Sequence, residues 1–121
     1  MKKILLGIFI TIFFAGGALA ERYVMVTHTA GTDPFWPVVQ KGGEDAAKAI
    51  GADFEYMFHP SGDMAEMAKL IVAATATQPD GMVVSLPDPD ALGPAIQDAV
   101  AAGIPVILSL IHISEPTRRT P

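Results

Sequence analysis

The sequence predicts an α/β fold: a doubly wound parallel sheet built in the order β-α-β-α-β-α-β. Three observations carry that prediction. Four short runs rich in β-branched and aromatic residues recur along the chain, three stretches with apolar residues at helical spacing separate them, and glycine- or proline-bearing turns mark the joins. Strands of this kind, apolar on both faces and linked through helices, belong to a parallel sheet with right-handed crossovers.

The first strand is predicted over residues 23–27, Tyr-Val-Met-Val-Thr. A helix follows, because Phe35, Val38, Val39, Gly42, Gly43, Ala46, Ala47 and Ile50 form one apolar stripe, and Gly51 stands where a left-handed stop is wanted. The small residues Gly42, Gly43, Ala46 and Ala47 should let this helix lie close to the sheet. Residues 54–58 make the second strand, and Met64, Met67, Ala68, Ile71, Val72 and Thr75 the second helical stripe. Pro79-Asp80-Gly81 turns the chain into a third strand over residues 82–86. Leu92, Ala95, Ile96, Ala99, Val100 and Gly103 mark the third helix, and residues 104–110 the fourth strand. The expected strand order is 2-1-3-4.

Composition removes several classes of function. The 121 residues carry 8 Lys and Arg against 13 Asp and Glu, a net charge of −5, and nucleic-acid binding needs the opposite, a cluster of cations. With no cysteine there is no disulfide scaffold, thiolate zinc site, thiol nucleophile or lipidated cysteine. Half the residues are hydrophobic and 17% charged, too apolar for a solvated disordered tail. The methionines after the initiator fall at core positions rather than in a soft-metal box, and His28, His59 and His112 have no ligand spacing. No metal or cofactor is expected.

Residues 1–20 read as a cleavable export signal. Lys2 and Lys3 precede an uncharged apolar run that ends in Ala18-Leu19-Ala20 and the polar Glu21-Arg22. The rival is an uncleaved membrane anchor, since the run approaches the ~20 residues that span a bilayer. With cleavage, residues 21–110 form a periplasmic domain whose only membrane contact was through its signal.

Topology then fixes where a ligand belongs. In open parallel sheets, ligands bind outside the carboxyl ends of the strands where strand order switches. That crevice is flanked by the loop ending Thr32-Asp33-Pro34-Phe35-Trp36 and by Ser85-Leu86-Pro87-Asp88-Pro89-Asp90. Carboxylates accept hydrogen bonds from paired hydroxyls, and flat rings cover the apolar face of a sugar. Prolines stiffen both loops, lowering the ordering cost of binding. The inventory is that of a sugar or polyol site.

Together with Gln40-Lys41-Gly42, Ala91-Leu92 and Ala102-Gly103-Ile104-Pro105-Val106-Ile107, these motifs make residues 23–108 resemble a type I periplasmic binding protein, nearest the ribose-binding-like receptors of ABC sugar importers. The resemblance implies a partial first lobe of that Rossmann-like fold, with the second lobe absent here. It further implies a small sugar-like ligand, and delivery to an ABC permease in the inner membrane. In that family the first loop gives a polar residue and two aromatics to the sugar, which here are Asp33, Phe35 and Trp36. The third gives an acidic residue, matched by Asp88 and also by Asp90, and Ser85 stands where relatives carry a polar residue. Residues 111–121 match nothing in the family and read as a non-native tail.

Plainer roles compete at several of these positions. Asp33 before Pro34 is also a helix cap, Phe35 is also a core position, and Asp90 suits an N-cap better than Asp88, which leaves Asp88 as the ligand residue. Trp36, adjacent to Phe35, should then point toward the crevice. Asp63 with Glu66 has the spacing of a capping box, and His28 and His59 end their strands at the binding edge. An exported Rossmann-like enzyme would rest on Asp33, Asp88 and His28 alone. No phosphate loop or nucleophile elbow accompanies them. The effector half of a sugar-responsive regulator shares the fold, but the export signal and the missing DNA-binding headpiece oppose it. The sequence therefore predicts a binding protein and not an enzyme.

Overall fold

A computed structural model describes residues 19–28 and 33–109. The export segment, except for its last two residues, and the tail over 111–121 lie outside the described residues. The elements are β1 (Arg22–Thr27), α1 (Phe35–Ile50), β2 (Asp53–Phe58), α2 (Met64–Ala76), β3 (Gly81–Ser85), α3 (Pro89–Ala101) and β4 (Val106–Ser109). They form one four-stranded parallel sheet in the order β2-β1-β3-β4. The chain leaves β1 toward β2 on one side and reaches β3 on the other, so the order switches between β1 and β3.

Register determines which residues share a face. Val24 lies beside Met82 and Val26 beside Val84. On that face α2 contributes Met67, Ile71 and Ala74, and α3 contributes Leu92, Ala95, Ile96 and Ala99, in one buried cluster closed by Leu86 and Ile104. Each large aliphatic side chain removed from water here stabilises the fold by ~1.5–3 kcal/mol. The fully buried ones are the centre of the domain.

The opposite face carries Tyr23, Met25 and Thr27 with Phe54, Tyr56 and Phe58, and α1 packs on it over β2. Gly43 makes that approach possible, because a Cβ there would overlap the Phe54 ring. Gly42 has nothing within 4 Å of such a Cβ, and Ala46 is exposed. Of the four small residues expected to seat α1, only Gly43 and Ala47 therefore meet the sheet side. Gly51 ends α1 at φ 70°, and its amide returns to the carbonyls of Ala47 and Lys48.

Two helix starts differ from expectation. Asp88, not Asp90, is the N-cap of α3, because the helix begins at Pro89 and the fixed ring of proline suits its first position. Only half of a capping box forms at α2. Asp63 Oδ1 accepts from the Glu66 amide at 2.9 Å, while the Glu66 carboxylate pairs with Lys69 and the Asp63 amide donates to Ser61 Oγ.

Candidate functional site

β1 and β3 end side by side, and α1 and α3 begin above them. Asp33 is exposed at the entry to α1, where Oδ1 accepts the Phe35 amide at 2.9 Å. That bond bends the chain into the helix from one residue before the N-cap, Pro34. Capping geometry thus fixes the carboxylate at the strand edge. Across the crevice, Asp88 Oδ1 accepts from the amides of Asp90 and Ala91, both at 3.0 Å, which leaves Oδ2 without a protein donor among the described residues. Asp90 is exposed on the first turn of α3.

The two rings exchange their expected places. Phe35 is 50% exposed, whereas Trp36 is only 4% exposed and is the more deeply buried of the pair. They meet edge to face, with centroids 5.2 Å apart and planes at 82°. Trp36 also lies edge to face with the His28 ring, at 5.3 Å and 82°. Neighbours on a helix point about 100° apart, so one of the two had to turn inward. The larger ring did, leaving Phe35 as the ring offered to solvent.

Ser85 is fully buried and does not face open solvent. Its Oγ accepts the His28 amide at 3.1 Å and lies 2.8 Å from His28 Nδ1. Burial pulls the His28 pKa below its usual value, and the Asp33 carboxylate pulls it back up in part. A neutral ring with its proton on Nε2 satisfies the whole arrangement. Nδ1 then accepts from the Ser85 hydroxyl while Oγ accepts from the amide.

Tyr56 is a residue that the sequence reading passed over. Its phenol lies 2.6 Å from Thr27 Oγ1 at the end of β1, and its ring is tilted against Phe58 at 5.8 Å. Burial raises the Tyr56 pKa first; the hydroxyl bond from Thr27 lowers it, and Asp33 again raises it. The period-2 spacing of Phe54, Tyr56 and Phe58 was the available signal that these rings share one face.

Among the described residues a groove of about 460 Å³ also opens along α1, lined by Pro37, Val38, Lys41, Gly42 and Asp45. Its polar groups are a Lys41–Asp45 ion pair at 2.8 Å, already satisfied within the helix. Asp33 and Asp88 with the rings of Phe35 and Trp36 lie instead by the ends of β1 and β3, which is the candidate site.

Residues 23–109 match the periplasmic binding protein domain family. The chain belongs to that family. It is 31% identical over 85 residues to the xylose/arabinose-binding protein XylF of Sulfolobus acidocaldarius, covering 70% of this chain and 21% of that protein. Among solved structures it is similar to a carbohydrate transporter from Acidothermus cellulolyticus in complex with myo-inositol. That match has 40% identity and a TM-score of 0.70, over 74% of this chain and 31% of the other. A periplasmic ribose ABC transporter from Conexibacter woesei matches at 34% identity and a TM-score of 0.72, over 84% of this chain and 33% of the other. This periplasmic-binding-protein chain thus spans a third or less of the relatives it matches, and the α/β lobe is the shared part.

Proposed function

We propose that this chain supplies the sugar-facing edge of the first lobe of an ABC importer's receptor. In this reading a sugar or polyol lies over the ends of β1 and β3. Asp33 and Asp88 accept its hydroxyl hydrogens, Phe35 covers its apolar face, and Asp90 stands at the rim. The receptor works outside the inner membrane, carried there by the export segment at residues 1–20, and delivers its solute to a membrane permease without chemical conversion. The second lobe, from beyond the described residues, closes over the solute by hinge motion.

The observation that carries this reading is the pair of prealigned carboxylates, Asp33 and Asp88. Each is held by backbone amides through one oxygen, beside an exposed ring at the topological switch point. Solutes named for the relatives, including myo-inositol, arabinose and xylose, all offer adjacent hydroxyls on an apolar ring.

Isothermal titration of the full-length receptor with myo-inositol, D-ribose, L-arabinose and D-xylose tests it. Asp33→Ala and Asp88→Ala should each weaken the best solute by ~1–3 kcal/mol, because a buried hydroxyl loses its acceptor. Asp88→Ala should also lower the melting temperature through the lost cap. Unchanged affinity in both variants would move the site elsewhere.

A further inference from the structure

We propose that His28 is a positioning residue for the solute site: fixed by Ser85, its ring seats Trp36, and Trp36 in turn sets the Phe35 ring in register with the loop after β3. The inference rests on the sugar-binding reading for its purpose, but its geometry stands apart from any ligand.

Three contacts make a continuous path across the switch point. Ser85, the last residue of β3, binds both the backbone and the ring of His28, the first residue after β1. The His28 ring meets Trp36 at 5.3 Å, and Trp36 meets Phe35 at 5.2 Å, both near-perpendicular. Edge-to-face pairs are directional, since the positive rim of one ring seeks the negative face of the other. A turn of the imidazole is therefore passed to both aromatic rings. The exposed ring at the mouth of the crevice is aligned from a strand on the other side of it.

The chemistry of the Ser85 hydroxyl makes the path sensitive to one proton. In the neutral ring Nδ1 accepts from the hydroxyl. Protonation turns Nδ1 into a donor, so both His28 groups would donate to Oγ and the buried hydroxyl hydrogen would lose its acceptor among the described residues. Asp33, from the segment entering α1, is the charged group that acts on the ring, and it favours the proton that brings this loss. β3 presents Ser85 and α1 presents Trp36, neither charged, and β2 brings the Tyr56 phenol to Thr27 next door. Burial of the ring favours the neutral form.

The test uses the full-length receptor and two readouts. The first needs no ligand: the emission of Trp36, taken as the difference between the receptor and its Trp36→Phe variant, followed from about pH 8 to about pH 5. A step with a midpoint below the usual histidine range is expected in the parent. In His28→Asn the step should vanish, and in Ser85→Ala it should move to higher pH. A step unchanged in His28→Asn, or a flat titration in the parent, would overturn the proposal. The second readout is myo-inositol affinity over the same range. The parent should weaken about tenfold as the ring protonates, and His28→Asn should bind about tenfold more weakly at every pH, with no pH step. Parent-like affinity in His28→Asn would overturn the positioning role. If no sugar binds the parent receptor, the functional reading fails, and the emission titration still decides the role of His28.

Discussion

The two faces of the sheet were built from the same kind of pattern and ended differently. On one face α2 and α3 bury Met67, Ile71, Leu92 and Ala99 against Val24, Val26, Met82 and Val84, and of their large apolar residues only Val72 and Val100, at the margins of their stripes, stay exposed at 54% and 55%. On the other, α1 follows an equally regular apolar stripe, yet Val38 is 72% exposed and Ile50 67%. Ile107, on β4 beside Val83, is 66% exposed. The difference is one of coverage. Two helices share the first face and pack on each other as well as on the sheet, whereas α1 lies over β2. An apolar stripe states that a helix has a surface to bury, but a neighbour must be present to bury it.

The largest test of this contrast compares Ile71→Ala with Val38→Ala in thermal or denaturant unfolding. Ile71→Ala should cost ~2–5 kcal/mol through lost burial and a cavity, and Val38→Ala less than about 0.5 kcal/mol. Equal losses would mean that the exposed stripe is covered after all.

Next come the adjacent glycines of α1. Gly43→Ala should destabilise by ~1–3 kcal/mol, because its methyl meets the Phe54 ring. Gly42→Ala should stabilise by about 0.5–1 kcal/mol, since it meets nothing and alanine is the better helix former. If both substitutions stabilise, α1 stands off the sheet.

The smallest expected effect is at the crevice. With its pKa lowered by burial, His28 takes up a proton less readily in the folded than in the unfolded chain. Folding stability should therefore fall as pH drops below the ordinary histidine value of about 6.5 and level off above it. Melting temperatures measured at stepped pH should lose that part of the slope in His28→Asn; an identical slope in the variant would assign the effect to other groups.

The places where sequence reasoning and structure part are instructive. Period and turn residues located all seven elements, and strand ends moved by one or two residues because ladder bonds, not side-chain type, set them. The two loops that carry the candidate site were legible as loops. Asp33 and Asp88 are both at the edge, but the N-cap fell to Asp88 because Pro89 opens α3. Trp36 and Phe35 exchanged exposure, since sequence spacing shows that neighbours on a helix point apart without showing which one turns inward. The Tyr56–Thr27 and His28–Ser85 contacts were invisible, because each joins residues that only strand pairing brings together. Period-2 spacing shows no more than that Tyr56 shares a face with Phe54 and Phe58.

By itself, then, the sequence determined the order of elements, the parallel sheet and the two loops that flank the crevice. These follow from local period, turn chemistry and chain connectivity. Tertiary structure alone decided which apolar stripe was covered, which ring faced solvent and which serine held the histidine. Those outcomes depend on distances between residues far apart in the chain, and only packing sets such distances.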